Sequence, residues 1–147
     1  MKTVNIQNKR ARFEYTLLDK YVAGLQLSGT EIKSIRNSKA NLSDSFCSFK
    51  EDELFIVGMH IDEYEFGNYA NHQPKRVRKL LLNRQELDKI RKKLKDVGLT
   101  IVPLRLFINE KGWAKLEIAV AKGKKLHDKR NTIKDRDIQR DIDRASK

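Results

Sequence analysis

Val102-Pro103-Leu104-Arg105-Leu106-Phe107-Ile108-Asn109-Glu110-Lys111-Gly112-Trp113-Ala114-Lys115-Leu116-Glu117-Ile118-Ala119-Val120 decides the fold class. Val102, Leu104, Leu106 and Ile108 alternate with Pro103, Arg105 and Phe107; after the turn Asn109-Glu110-Lys111-Gly112, Ala114, Leu116, Ile118 and Val120 resume the same period. Successive side chains of a strand point to opposite faces, so two such runs around a glycine-containing turn mark an antiparallel hairpin with one buried face. Pro103 cannot donate to a ladder and indicates an edge or a bulge.

Working outward, residues 45–49 and 54–59 flank the charged turn Lys50-Glu51-Asp52-Glu53 as a second hairpin. Residues 13–18 and 21–27 flank Asp19-Lys20 as a third, without the usual Asn-Gly signal, and residues 77–82 form a further strand. Two helices interrupt the strands. Ser28-Gly29-Thr30-Glu31 reads as a capping box opening a short helix through Ile32 and Ile35. Asn83 and Glu86 cap a longer one carrying Leu87, Ile90, Leu94 and Val97, with Gly98 at its end. Six or seven short hairpin-connected strands with few, segregated helices predict a mainly β (α+β) fold: a small antiparallel β-barrel of the oligonucleotide-binding type with two or three peripheral helices.

The 147 residues suit one domain, and 39% apolar content suffices for one compact core. Cys47 is the single cysteine, which excludes an intramolecular disulfide or a multi-cysteine zinc site and fits a reducing, cytoplasmic setting. Residues 1–12 hold no apolar leader core, and no run is long enough to cross a bilayer, so no membrane partner is expected.

Charge points to the partner. Lys and Arg number 32 against 20 Asp and Glu, a net charge of +12, and a polyanion is the expected ligand. Ten cations fall between Lys75 and Lys95, whereas residues 51–65 hold six carboxylates and no Lys or Arg, so the molecule is two-sided in sequence. Arg91, Lys92, Lys93 and Lys95 fit a merely solvated helix face equally well. Asn8-Lys9-Arg10-Ala11-Arg12 precedes Phe13 and Tyr15, a pairing of guanidinium forks and rings that suits RNA, although both rings fit ordinary core positions better. Lys33 and Arg36 share one helix face, with Lys39 three residues on. Trp113 and Cys47 read as structural.

Catalytic patterns are lacking. His60, His72 and His127 sit at no metal-ligand spacing, and the sequence carries no phosphate loop, nucleophile elbow or carboxylate pair; a metal-dependent nuclease is the least supported class. Neither a metal nor another cofactor is expected.

Residues 123–147 hold only Leu126, Ile133, Ile138 and Ile142 as sizeable apolar side chains, too few to offset the entropy of ordering that stretch alone. Charge pairs such as Asp137 with Arg140 and Asp141 with Arg144 make it a latent helix, so we expect a barrel over residues 1–122 and a flexible basic tail that becomes helical only when bound.

Taken together these blocks resemble the SsrA-binding protein family, also called small protein B. The matching stretches are Asn8-Lys9-Arg10-Ala11-Arg12, Ala23-Gly24-Leu25, Gly29-Thr30-Glu31-Ile32-Lys33-Ser34-Ile35-Arg36, Lys39-Ala40-Asn41-Leu42, Arg78-Lys79-Leu80-Leu81-Leu82-Asn83, Val120-Ala121-Lys122-Gly123-Lys124-Lys125 and His127-Asp128-Lys129-Arg130. The resemblance implies a non-enzymatic adaptor that binds the tRNA-like domain of transfer-messenger RNA and delivers it to stalled ribosomes. It implies RNA contacts for Asn8, Lys9, Arg10, Arg12, Lys33, Ser34, Arg36, Lys39, Asn41, Lys79, Leu81, Asn83 and Lys122. It also implies a tail that probes the decoding centre and the empty mRNA channel of the small subunit through Lys124, Lys125, His127, Asp128, Lys129, Arg130 and Ile142, with His127 stacking on a base. Elongation factor Tu and alanyl-tRNA synthetase act on the same RNA in that family. Val22 departs from the family pattern, where Glu is frequent, and Phe13 from a frequent His. From the residues alone, a generic single-stranded nucleic-acid binder is the alternative.

Overall fold

A computed structural model describes residues 4–67, 71–96 and 98–123. The order is β1 (Asn5–Gln7), α1 (Lys9–Glu14), β2 (Tyr15–Leu25), α2 (Gly29–Arg36), β3 (Ala40–Asn41), β4 (Phe46–Lys50), β5 (Glu53–Val57), β6 (His60–Ile61), β7 (Arg78–Leu81), α3 (Arg84–Lys93), β8 (Leu99–Ile108) and β9 (Ala114–Gly123). Among the described residues the fold is mainly β, as the strand patterns require, with three helices.

Antiparallel pairings run β8-β4-β5-β7-β2-β9 and return to β8, so the strands close a ring; β1 adds to the free stretch of β8. The β2–β9 and β8–β9 seams are long, while β4 meets β8 at the single pair Cys47↔Ile101. The short seam makes this a ring of strands rather than an evenly closed barrel. Inside it lie Ala23, Leu54, Ile56, Leu80, Leu116, Ile118 and Val120, sealed by Ile35 of α2 and by Leu87 and Ile90 of α3. Burial pushes the thiol of Cys47, part of this core, well up from its ordinary range.

The deciding hairpin forms as read, with its turn held by Gly112 at φ +86° and by the Asn109 side chain, which accepts from Lys111 N–H at 3.1 Å and Trp113 N–H at 2.9 Å. Glycine reaches this left-handed conformation without a Cβ clash. The periodicity of β8 conceals a phase change, however. Register jumps between Pro103↔Ile118 and Arg105↔Glu117, so Leu104 is the extra residue of a bulge. Leu106 and Ile108 pack on the ring core, whereas Val102 and Leu104 pack with Ala119 and Ala121 in a second cluster. A one-residue slip moves side chains to the other face, and α1 covers that face with Ala11.

Three expectations need correction. Asp19-Lys20 is not a turn: β2 runs through it and accommodates an extra residue, Leu18, as a bulge against β9. Residues 9–14 form α1, a helix the sequence reading did not include, and Phe13 lies on it rather than in a strand. α3 ends at Lys93 with Leu94 as its C-cap, one turn short of the expected Gly98; Val97 lies outside the described residues.

Candidate nucleic-acid interface

α2 carries the clearest cationic face. Its start is fixed by the Ser28 N–H donating to the Glu31 carboxylate at 2.9 Å, and its inward side is set by Glu31, Ser34 and Ile35. The spacing of the helix then turns Lys33 and Arg36 outward together, and Lys39 is exposed just beyond. Among the described residues, none of these three cations is in an ion pair. Asn41 is exposed on β3, its side-chain oxygen accepting from Ser43 N–H at 2.7 Å. Ser34, expected among the RNA contacts, is instead 2% exposed.

The helix is anchored by a buried charge cluster that sequence reading missed. Glu31 and Arg78 are fully buried and paired to each other, and Arg76 joins Glu31 at 2.6 Å. Arg78 also donates to the Met59 carbonyl at 2.9 Å and the Pro74 carbonyl at 3.0 Å, so its charge is matched on several sides. Burial alone would raise the Glu31 carboxyl, but Arg76, the Ser28 N–H and Arg78 outweigh it and hold the group at about 2. Arg78 is therefore no surface cation, although it sits within the basic run between Lys75 and Lys95. Glu31 and Arg78 are 47 positions apart, and Arg78 stands beside Lys79 in its strand, so nothing in the local sequence marks it as the buried partner.

Much of that basic run is already neutralised. Lys79 pairs with Glu53 at 2.7 Å, Arg91 with Asp52, and Lys93 with Asp19. Arg91 holds the Asp52 carboxyl below its ordinary range. The acidic turn between β4 and β5 thus lies against the cations of β7 and α3, and the two-sidedness seen in sequence is not kept in space. Beside these pairs is a cleft of about 530 Å³ that brings Lys79, Leu81 and Asn83 together with Val22, Gly24 and Lys115. Asn83 caps α3 by accepting from Glu86 N–H at 2.8 Å yet stays exposed, and Leu81 and Val22 are each 49% exposed.

α1 gathers the third cluster. Asn8 is buried as its N-cap, accepting from Ala11 N–H and donating to the Pro103 carbonyl at 2.9 Å, so it shapes the surface rather than forming it. Lys9 and Arg12 are exposed; Arg10 bridges Glu14 and Asp44 at 2.9 Å each. Phe13 is 80% exposed, which overturns its assignment to the core, while Tyr15 packs against the second cluster as expected. The β2–β9 register sets Tyr15 opposite Gly123 and Thr16 opposite the exposed Lys122, so the chain leaves β9 beside α1. Lys124, Lys125, His127, Asp128, Lys129, Arg130 and Ile142 lie outside the described residues.

Trp113 is also exposed rather than structural, and borders a hollow of about 700 Å³ with Phe107, Lys111 and Lys115. His60 pairs with Asp62 at 2.8 Å, and His72 is buried between the Thr30 hydroxyl and the Ile61 carbonyl. Among the described residues there is no group of metal-ligating side chains, and no helix is long and apolar enough to cross a membrane.

A ring of strands carrying exposed rings and cations that have no carboxylate partner among the described residues fits the class of small nucleic-acid-binding β proteins. The family model described as SmpB protein matches residues 5–147. The SsrA-binding protein of Flavobacterium psychrophilum is 62% identical, covering 100% of this chain and 98% of that protein. The SsrA-binding protein of Bacteroides thetaiotaomicron is 59% identical, covering 99% and 97%. A chain in the solved structure "tmRNA-SmpB: a journey to the center of the bacterial ribosome" is 44% identical and superposes with a TM-score of 0.72 over 86% of this chain and 88% of that one. The chain belongs to the SmpB family.

Proposed function

We propose that this protein binds the tRNA-like domain of transfer-messenger RNA and carries it to stalled bacterial ribosomes for trans-translation. The observation that carries the reading is the family match over residues 5–147 combined with the exposed cations of α2, which have no carboxylate partner among the described residues. Phosphate contacts set position without reading sequence, which suits a folded RNA recognised by shape. Lys33, Arg36, Lys39 and Asn41 supply one contact surface; Lys79, Leu81 and Asn83 supply the cleft; Lys9, Arg10, Arg12 and Lys122 surround the start of the tail. Asn8 and Ser34 support the surface from within. The chain acts by binding and not by catalysis, and work on the ribosome fits a cytoplasmic protein.

Residues 124–147, which follow the end of β9 at Gly123, form the second functional unit in this proposal, ordering against the decoding centre and the mRNA channel of the small subunit. Lys124, Lys125, Asp128, Lys129, Arg130 and Ile142 engage rRNA there, and His127 stacks on a base. Elongation factor Tu and alanyl-tRNA synthetase act on the same RNA. Removal of the residues after Lys122 tests the division: RNA affinity should stay nearly intact while tagging of stalled peptides is abolished, and equal loss of both overturns it.

A further inference from the structure

Next to the cationic face of α2 stands an aromatic pair that the sequence reading did not single out. Tyr64 and Phe66 pack edge to face with ring centroids 5.6 Å apart, and the Lys33 ammonium lies 5.4 Å from the Tyr64 ring centroid. Phe66 is 71% exposed. The segment that presents them is pinned at both ends. Asp62 N–H donates to the Lys39 carbonyl at 2.9 Å, Asn71 clasps Tyr64 through its N–H at 2.9 Å and its carbonyl at 2.7 Å, and Gly67 N–H closes a turn on Tyr64 at 2.9 Å. A Cβ on Gly67 would sit 2.6 Å from the Asn71 side-chain amide and 3.1 Å from the Thr30 methyl of α2, so a larger residue here would make those side chains shift.

We propose that Tyr64 and Phe66 form a stacking site for one unpaired RNA base, whose phosphate is held by Lys33 and Arg36. This rests on the RNA-binding reading above and deepens it. An exposed ring on a hydrogen-bonded turn costs solvation and returns little to folding, whereas a base offers it a π face, and the cation over Tyr64 supplies charge where the nucleotide backbone would lie. Glu63 and Glu65, both exposed, border the pair, which confines the phosphate to the α2 side. The same chemistry would accept an unpaired nucleotide of the tRNA-like domain or of ribosomal RNA.

Full-length protein with Phe66→Leu or Phe66→Trp, titrated separately with the tRNA-like domain and with small ribosomal subunits over a salt series, tests this. Leucine keeps an apolar side chain of similar reach but has no π face, and the exposure of Phe66 leaves the fold unaffected, which a thermal melt verifies. Phe66→Leu should weaken binding about tenfold in one arm with the salt slope unchanged, and Phe66→Trp should retain or strengthen it. The arm that responds identifies which RNA supplies the base. Unchanged affinity in both arms, or an equal loss with Trp and Leu, overturns the stacking site. A wild-type protein that does not prefer the tRNA-like RNA to unstructured RNA would instead break the underlying function, a result that the Phe66 variants cannot mimic.

Discussion

The segment from Lys75 to Lys95 and the face of α2 look alike as runs of positive charge, yet the fold treats them differently. In the longer segment Arg76 and Arg78 are tied to Glu31, Lys79 to Glu53, Arg91 to Asp52 and Lys93 to Asp19. On α2, Lys33 and Arg36, with Lys39 beyond, have no carboxylate partner among the described residues. A cation paired within the protein must give up its partner before it can displace counterions from a phosphate, so three free cations can outweigh a longer paired run. Density of charge in sequence therefore measures a possible surface, and pairing in the fold decides the real one.

The largest effect should come from removing the charge that joins the two regions. Glu31→Gln leaves Arg78 buried without its counter-charge and should cost about 3 to 5 kcal/mol of stability in a denaturant melt. The same pair predicts acid sensitivity. Because the folded Glu31 carboxyl sits at about 2, below its ordinary value of 4.5, its contribution is complete above the unfolded value and is lost as pH falls from there through about 2. That contribution is on the order of 3 kcal/mol, and the variant should show a flatter stability profile over that range. Parallel profiles for wild type and variant would show that the buried pair does not set acid stability.

Smaller, and confined to binding, is the effect of Lys33→Glu with Arg36→Glu. Affinity for the tRNA-like RNA should fall by roughly two orders of magnitude and the salt slope should flatten by about two, while the melting temperature holds. An unchanged slope would place both residues away from phosphate. The smallest effect belongs to the tied region: Arg91→Gln breaks an exposed pair with Asp52, which should change stability by less than about 1 kcal/mol and RNA affinity by less than the α2 variant does. A loss as large as that of the α2 pair would erase the contrast between the regions.

What could be read from sequence followed the range of the interaction. Both capping boxes and the β8–β9 hairpin depend on neighbours a few residues apart, and they form where their residues indicate. The bulge at Leu104 was hidden because apolar side chains continue at the same period on either side of it, and it takes the β8–β9 register and the packing of Ala11 from α1 to show that Val102 and Leu104 belong to a different face. Ala119 and Ala121, apolar where a solvent-facing strand would be polar, were the available sign that something covers β9. α1 itself was masked by its charges, since Ala11 is its one buried residue. In the candidate site, the α2 cations were legible from helical spacing. The burial of Arg78, Asn8 and Ser34 was not, because each is fixed by packing or partners supplied by distant parts of the chain. Nor was the exposure of Phe13 and Trp113, which a composition rule assigns to the core.

Competition binding at physiological salt between the tRNA-like domain and an unstructured RNA of equal length and base composition addresses the whole account. Recognition of a folded polyanion by a shaped cationic surface predicts at least a tenfold preference for the folded RNA, lost together with Lys33 and Arg36, whereas equal affinities would contradict it.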